Sequence, residues 1–198
     1  SDSRIYEAGV NGSKIGCSFE KVETPDPDPT PNPNPTPGKL DEVKVLNRTL
    51  KVGVNGEDVK EVQQYLKNLG YLDSVVDGSY GNATKAAAIM FQANESLYVD
   101  GEIGNASYKV MQQTSNKFSV LKKGMSGNAV KVMQTYLIKL GYLGGVADGG
   151  FGAVTEAAVK KFQSVNGLYA DGEAGIKTLS VLYGASPKSN TNNTVKSL

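Results

Sequence analysis

Val59, Val62, Leu66 and Leu69 recur at intervals of three to four residues and are followed by Gly70. That spacing predicts an amphipathic helix closed by a left-handed glycine. Val130, Met133, Leu137 and Leu140 repeat the pattern and end at Gly141. Asn55 and Ser126 stand just ahead of these runs as competent N-caps. A second helix is expected from about Asn82 to Ala93, burying Ala87 and Phe91, and from Ala153 to Ser164, burying Ala158 and Phe162. A short third helix carries Tyr108 and Met111 in one case, and Ile176, Leu179 and Leu182 in the other. Asp-Gly pairs at 77–78, 100–101, 148–149 and 171–172 mark the turns between them. The two sets are one unit written twice: Leu50 to Met111 aligns without a gap onto Leu121 to Leu182, with roughly half the positions identical. The predicted fold is all-α, two tandem three-helix bundles, each with its own small core.

The remaining chain divides around this duplication. Residues 1–24 alternate weakly and contain Asn11-Gly12, a hairpin turn signal, and read as a remnant or hairpin of an upstream domain. Every second residue from Pro25 to Pro37 is proline, so 25–38 should be an extended polyproline spacer of about 40 Å. The repeats then occupy 39–115 and 116–185, and a polar tail without periodicity, 186–198, is expected to be disordered.

Composition narrows the function by exclusion. The 198 residues carry a net charge of +1, with no basic run and therefore no footprint for nucleic acid. No stretch approaches the length of apolar sequence that spans a bilayer. With no histidine in the chain, Ser-His-Asp triads, Cys-His pairs and His-ligated zinc are excluded, and Cys17 stands alone without a base. Two carboxylates could still hydrolyse a glycoside. Asp77, Asp100 and Glu102, with Asp148, Asp171 and Glu173, sit beside turn glycines, where bonding to nearby amides accounts for them. No catalytic residue, metal or cofactor is expected. Charge is unequal between the copies: five lysines against eight acids give −3 in Leu50–Met111, and seven against four give +3 in Leu121–Leu182. This is either surface drift or a sign that the copies bind unequally.

The pattern Gly53, Gly56, Val59, Gln63, Leu66, Gly70, Asp77-Gly78-Ser79-Tyr80-Gly81, Thr84, Ala87, Phe91-Gln92, Leu97 and Asp100-Gly101-Glu102-Ile103-Gly104 resembles the peptidoglycan-binding domain 1 family. The second copy carries it as Gly124, Gly127, Val130, Gln134, Leu137, Gly141, Asp148 to Gly152, Thr155, Ala158, Phe162-Gln163, Leu168, Asp171 to Gly175 and Thr178. Copy one departs from it with Ser107 at the place of Thr178. The resemblance implies a non-catalytic module that holds an attached domain on bacterial murein, outside the cell, as a monomer. Rival readings are the targeting portion of a murein hydrolase or amidase whose catalytic domain lies upstream, and a prodomain-like protein-interaction module. Candidate ligand contacts are Tyr98, Asp100, Tyr169 and Asp171, with Asp77, Tyr80, Asp148, Phe151, Gln92 and Gln163. For Tyr98 and Tyr169, ligand stacking and a satisfied core tyrosine are both open; for Tyr80 and Phe151, core packing is favoured, because the hydroxyl is dispensable between copies. Gln63 and Gln134 are possible amide contacts on helix surfaces.

Overall fold

A computed structural model describes residues 43–190 and is helical throughout. The elements are α1 Glu57–Asn68, α2 Asn82–Asn94, α3 Asn105–Gln113, α4 Asn128–Lys139, α5 Ala153–Val165 and α6 Ile176–Leu182. Among the described residues the only β pairing is a set of isolated bridges, and no helix is long and apolar enough to cross a membrane. The hairpin expected in 1–24, the proline spacer at 25–38, Cys17 and residues 191–198 lie outside the described residues.

The helices fall where periodicity places them, but α1 and α4 are not capped by Asn55 and Ser126. Their N-caps are Gly56 and Gly127, without a side-chain cap. Their φ angles of 151° and 131° lie in territory closed to other residues, so glycine geometry replaces a polar cap.

One buried device recurs four times. Gln63 Nε2 donates to Asp77 Oδ1 (2.9 Å), to the Ser79 carbonyl (3.0 Å) and to Thr84 Oγ1 (3.1 Å), while its Oε1 accepts from the Gly78 amide (2.8 Å). Gln92 makes the same set with Asp100, Gly101, Glu102 and Ser107. Gln134 makes it with Asp148, Gly149, Gly150 and Thr155. Gln163 makes it with Asp171, Gly172, Glu173 and Thr178. Each turn therefore has the form Asp-Gly-x-x-Gly-x-x-Thr/Ser, with its glycine at φ between 73° and 83°. One primary amide on the preceding helix meets nearly all of its hydrogen-bonding capacity there. These glutamines are 1–2 % exposed, so they are buried locks and not surface contacts.

Each copy is a three-helix bundle, but the two do not keep separate cores. α2 packs on α1 within its own copy and on both α4 and α6 of the next. Its buried set includes Ala86, Ala88, Ile89, Met90, Phe91 and Ala93, so it is apolar around most of its circumference. The matching residues of α5 include Ala157, Lys160, Lys161 and Ser164, all exposed, and that helix keeps a solvent face. The buried residues form one cluster running through both copies. The expectation of two independent cores is corrected accordingly: the Ala87 and Phe91 stripe marks only the face of α2 in its own bundle, and its second face is buried by the neighbour.

The outer face of α3 is covered differently. Asn105 bonds both the amide and the carbonyl of Leu46 (2.6 and 3.1 Å), and Gln112 bonds both backbone groups of Lys44 (2.9 Å each). In the second copy these positions are Ile176 and Tyr183, which pack into the core region shared with α2. Residues 188 and 190, within the polar C-terminal stretch, are bonded to the second copy. Asn190 bonds the Leu140 and Gly141 carbonyls, and Tyr142 Oη donates to the Lys188 carbonyl at 2.7 Å.

Tyr71, the counterpart of Tyr142, is 1 % exposed and its hydroxyl makes no well-formed hydrogen bond, with the Asn94 side chain as its polar neighbour. Its ring meets Phe91 and Phe118 edge-on at 5.7 Å. Tyr71→Phe should therefore leave stability unchanged or raise it, whereas Tyr142→Phe should cost about 1 kcal/mol by removing its hydrogen bond to the Lys188 carbonyl. Urea denaturation of both variants checks this; an equal loss in the two would show that the Tyr71 hydroxyl is satisfied.

Candidate functional site

The structure separates the candidate residues by their exposure. Tyr80 and Phe151 are core rings, 1 % and 2 % exposed, and Tyr80 Oη donates to the Gly101 carbonyl at 3.0 Å. Gln92 and Gln163 are the buried locks described above. Asp77 and Asp148 cap their own turns by accepting from the amides of Ser79 and Gly150 (2.8 Å each). Tyr80, Phe151, Gln92 and Gln163 cannot reach a ligand without disturbing the fold, whereas Asp77 and Asp148, like Asp100 and Asp171, are exposed beside their turns.

Tyr98 and Tyr169 are displayed. They are 84 % and 86 % exposed, so neither is a core tyrosine. Each sits between a buried glutamine and an Asp-Gly turn, at a place where the backbone is pinned on both sides. The Leu97 amide bonds the Gln92 carbonyl and Leu168 bonds Gln163 (2.8 Å each). The turns are held from beyond by antiparallel bridges, Leu50 with Ile103 and Leu121 with Ala174. A rigid loop thus presents a free aromatic ring in each copy. Val75 and Val146, 75 % and 83 % exposed, are a second matched pair that the sequence reading did not single out.

In the second copy the tyrosine borders a sizeable groove. A space of about 530 Å³ is lined by Leu168, Tyr169, Asp171, Glu173, Ile176, Lys177 and Val120, with Gln163 and Thr178 at its wall. Asp73 and Phe118, from the first copy and the connector, complete it. The first copy holds a cavity of about 190 Å³ beside Lys51, Lys85, Asp100 and Glu102, which Tyr98 does not line and which shares only the Asp100 and Glu102 positions with that groove. Of the candidate residues, the groove gathers Tyr169, Asp171 and Gln163. Its contributors missed in the sequence, Asp73, Phe118, Val120, Ile176 and Lys177, lie in connectors or at a helix start, where no periodicity marks them.

Charge is less free than the count suggests. Glu156 pairs with both Lys160 (2.9 Å) and Lys123 (3.5 Å), which lowers its pKa, Lys160 contributing most. Two of the turn aspartates have lowered pKa values as well. Asp77 lies below its ordinary value chiefly through the Gln63 amide, and Asp148 through the Gly150 amide and then Gln134. A lowered carboxylate pKa contributes stability that is present above the unfolded value of about 3.8 and is lost as pH falls through the folded one. Thermal melts should show stability declining below about pH 4. Asp77→Asn and Asp148→Asn together should flatten that decline, since asparagine still accepts from the same donors. An unchanged slope would mean other carboxylates govern acid unfolding.

The model of the putative peptidoglycan binding domain matches residues 55–111 and 126–182, one match per copy. The chain belongs to this peptidoglycan-binding family. An N-acetylmuramoyl-L-alanine amidase of Mycobacterium tuberculosis is 30 % identical over 154 residues, covering 68 % of this chain and 37 % of that protein. A probable N-acetylmuramoyl-L-alanine amidase of Bacillus licheniformis is 34 % identical over 152 residues, covering 65 % and 43 %. The chain thus spans less than half the length of these relatives. Among solved structures, the SleB N-terminal domain is 34 % identical, covering 35 % of this chain and 96 % of that one, with a TM-score of 0.35.

Proposed function

We propose that this chain is a non-catalytic wall-binding region that holds an attached partner domain on peptidoglycan outside the cell, with the proline-rich stretch as the spacer between them. The observation that carries this reading is the family match on both copies. It is supported by the fate of the carboxylates: each turn aspartate is engaged by a glutamine and a backbone amide, and the chain has no histidine to serve as a base. The amidase names of the relatives, and the fraction of their length that this chain covers, favour the narrower reading that the whole protein is a cell-wall hydrolase and this chain its targeting part.

The chain should therefore pellet with insoluble peptidoglycan, as a monomer, and release no soluble muropeptide from it. Tyr169→Ala should weaken pelleting by about tenfold, the loss expected of one exposed aromatic contact. Failure of the unaltered chain to pellet would overturn the wall-binding reading, and release of muropeptides abolished by Asp77→Asn or Asp148→Asn would overturn its non-catalytic part.

A further inference from the structure

Two open grooves meet at the junction of the copies. The first, of about 530 Å³, carries Tyr169 and Asp171; the second, of about 220 Å³, lies between Leu72, Ser74 and Ala83 of the first copy and Ser180 of the second. Both are lined by Asp73, Ile176 and Lys177. The shared residues make them adjoining parts of a trench at the junction of the copies, and the first copy lacks the residues to repeat it. The places of Ile176 and Lys177 in the first copy are Asn105 and Ala106, and there Asn105 is bonded to the segment at Leu46.

We infer that the two copies bind a single murein stem peptide between them, in this trench, and not one ligand each. The inference rests on the wall-binding reading above and adds the ligand and its stoichiometry. The charges of the walls choose the peptide over the glycan. Asp73, Asp171 and Glu173 face a chain that offers an ammonium on its dibasic residue, and Lys177 stands among them to meet a free carboxylate. Ile176 and Val120 supply apolar wall for alanine methyl groups. The glycan's hydroxyl and acetamido groups can bond these side chains but carry no charge to pair with them, whereas the peptide offers both an ammonium and a carboxylate. Asp171 reserves Oδ1 for Gln163 and the Glu173 amide, leaving Oδ2 for a ligand. The fixed packing of α2 on α4 and α6 keeps the two halves of the trench in register. That preorganisation replaces the avidity expected of two loosely tethered sites.

The test titrates the intact chain with a synthetic stem tetrapeptide, the same peptide acetylated on its dibasic side chain, and the peptide-free murein disaccharide. One tetrapeptide should bind per chain, shifting amide resonances around both Asp73 and Lys177. Asp73→Asn and Lys177→Ala should each weaken it about tenfold, the loss of one charged contact, and acetylation should do likewise. Both residues are exposed, and unchanged melting curves will show that the variants fold. Tyr98→Ala should leave affinity unaltered. Two peptides per chain, binding of the disaccharide in place of the peptide, or wild-type affinity in Asp73→Asn would overturn the inference. So would absence of binding by every soluble probe while the chain still pellets with whole murein, an outcome under which the wall-binding reading stands.

Discussion

Phe91→Ala is expected to unfold both copies in one transition. Phe91 is fully buried on α2, edge-on to Tyr71, and truncating a phenylalanine there costs about 3 to 5 kcal/mol. Domains of this size hold only about 5 to 15 kcal/mol in total. The loss would stay within the first copy if that copy owned its core. It does not, because α2 also buries Ile89, Met90 and Ala93 and packs against α4 and α6. When α2 loses its seat on α1, the second copy loses the cover over its own two helices. Phe162→Ala should behave in the same way from the other side, through a ring 5.3 Å from Tyr142. Calorimetry should return one peak whose van't Hoff and calorimetric enthalpies agree. Survival of amide signals from residues 126–182 after the first copy has melted would show that the shared face contributes little.

This fusion also changes how the charge difference between the copies can be tested. Cutting the chain near Asn116 would strip α4 and α6 of their apolar cover and expose the second face of α2. A comparison of isolated copies would then report aggregation as readily as binding. Neutralising the exposed Lys122 and Lys161 in the intact chain separates the two effects, since Lys123 and Lys160 are already engaged with Glu156.

The helices were legible because their buried stripes recur at helical intervals, and the four turns because Asp-Gly demands a positive φ that the structure supplies. The shared face of α2 was legible in principle. Ile89, Met90 and Ala93 face Lys160, Lys161 and Ser164 in the alignment of the copies, a substitution of apolar by polar residues on one side of one helix. The glutamine locks were obscured because a polar residue on an amphipathic helix reads as solvent-facing. The longer repetition also hid a shorter one, in which the same turn occurs twice per copy with its glutamine at two different separations, 14 and 8 residues. The trench was not legible at all. Asp73 and Phe118 sit in connectors, and only the packing of one copy on the next brings them beside Tyr169.

Gln163→Leu is expected to damage stability and binding together, whereas Gln92→Leu should damage stability alone. Each glutamine is about 1 % exposed and makes four hydrogen bonds to its turn. Leucine fills nearly the same volume but leaves the amide of Gly172, or of Gly101, buried without an acceptor and a turn carbonyl without a donor. Such orphaned groups cost about 1 to 3 kcal/mol each, so either variant should lose on the order of 2 to 5 kcal/mol. The turn released by Gln163 carries Asp171 and Glu173 and follows Tyr169 directly, so the acidic wall and the exposed ring lose their fixed spacing. The turn released by Gln92 adjoins Tyr98 and the smaller cavity of the first copy, away from the trench. Melting curves should therefore fall in parallel for the two variants. Pelleting with peptidoglycan, measured well below either midpoint, should fall only for Gln163→Leu. Equal retention by both would mean that the turn does not position the ring, and a melting curve for Gln163→Leu matching the unaltered chain would mean that the amide does not hold the turn.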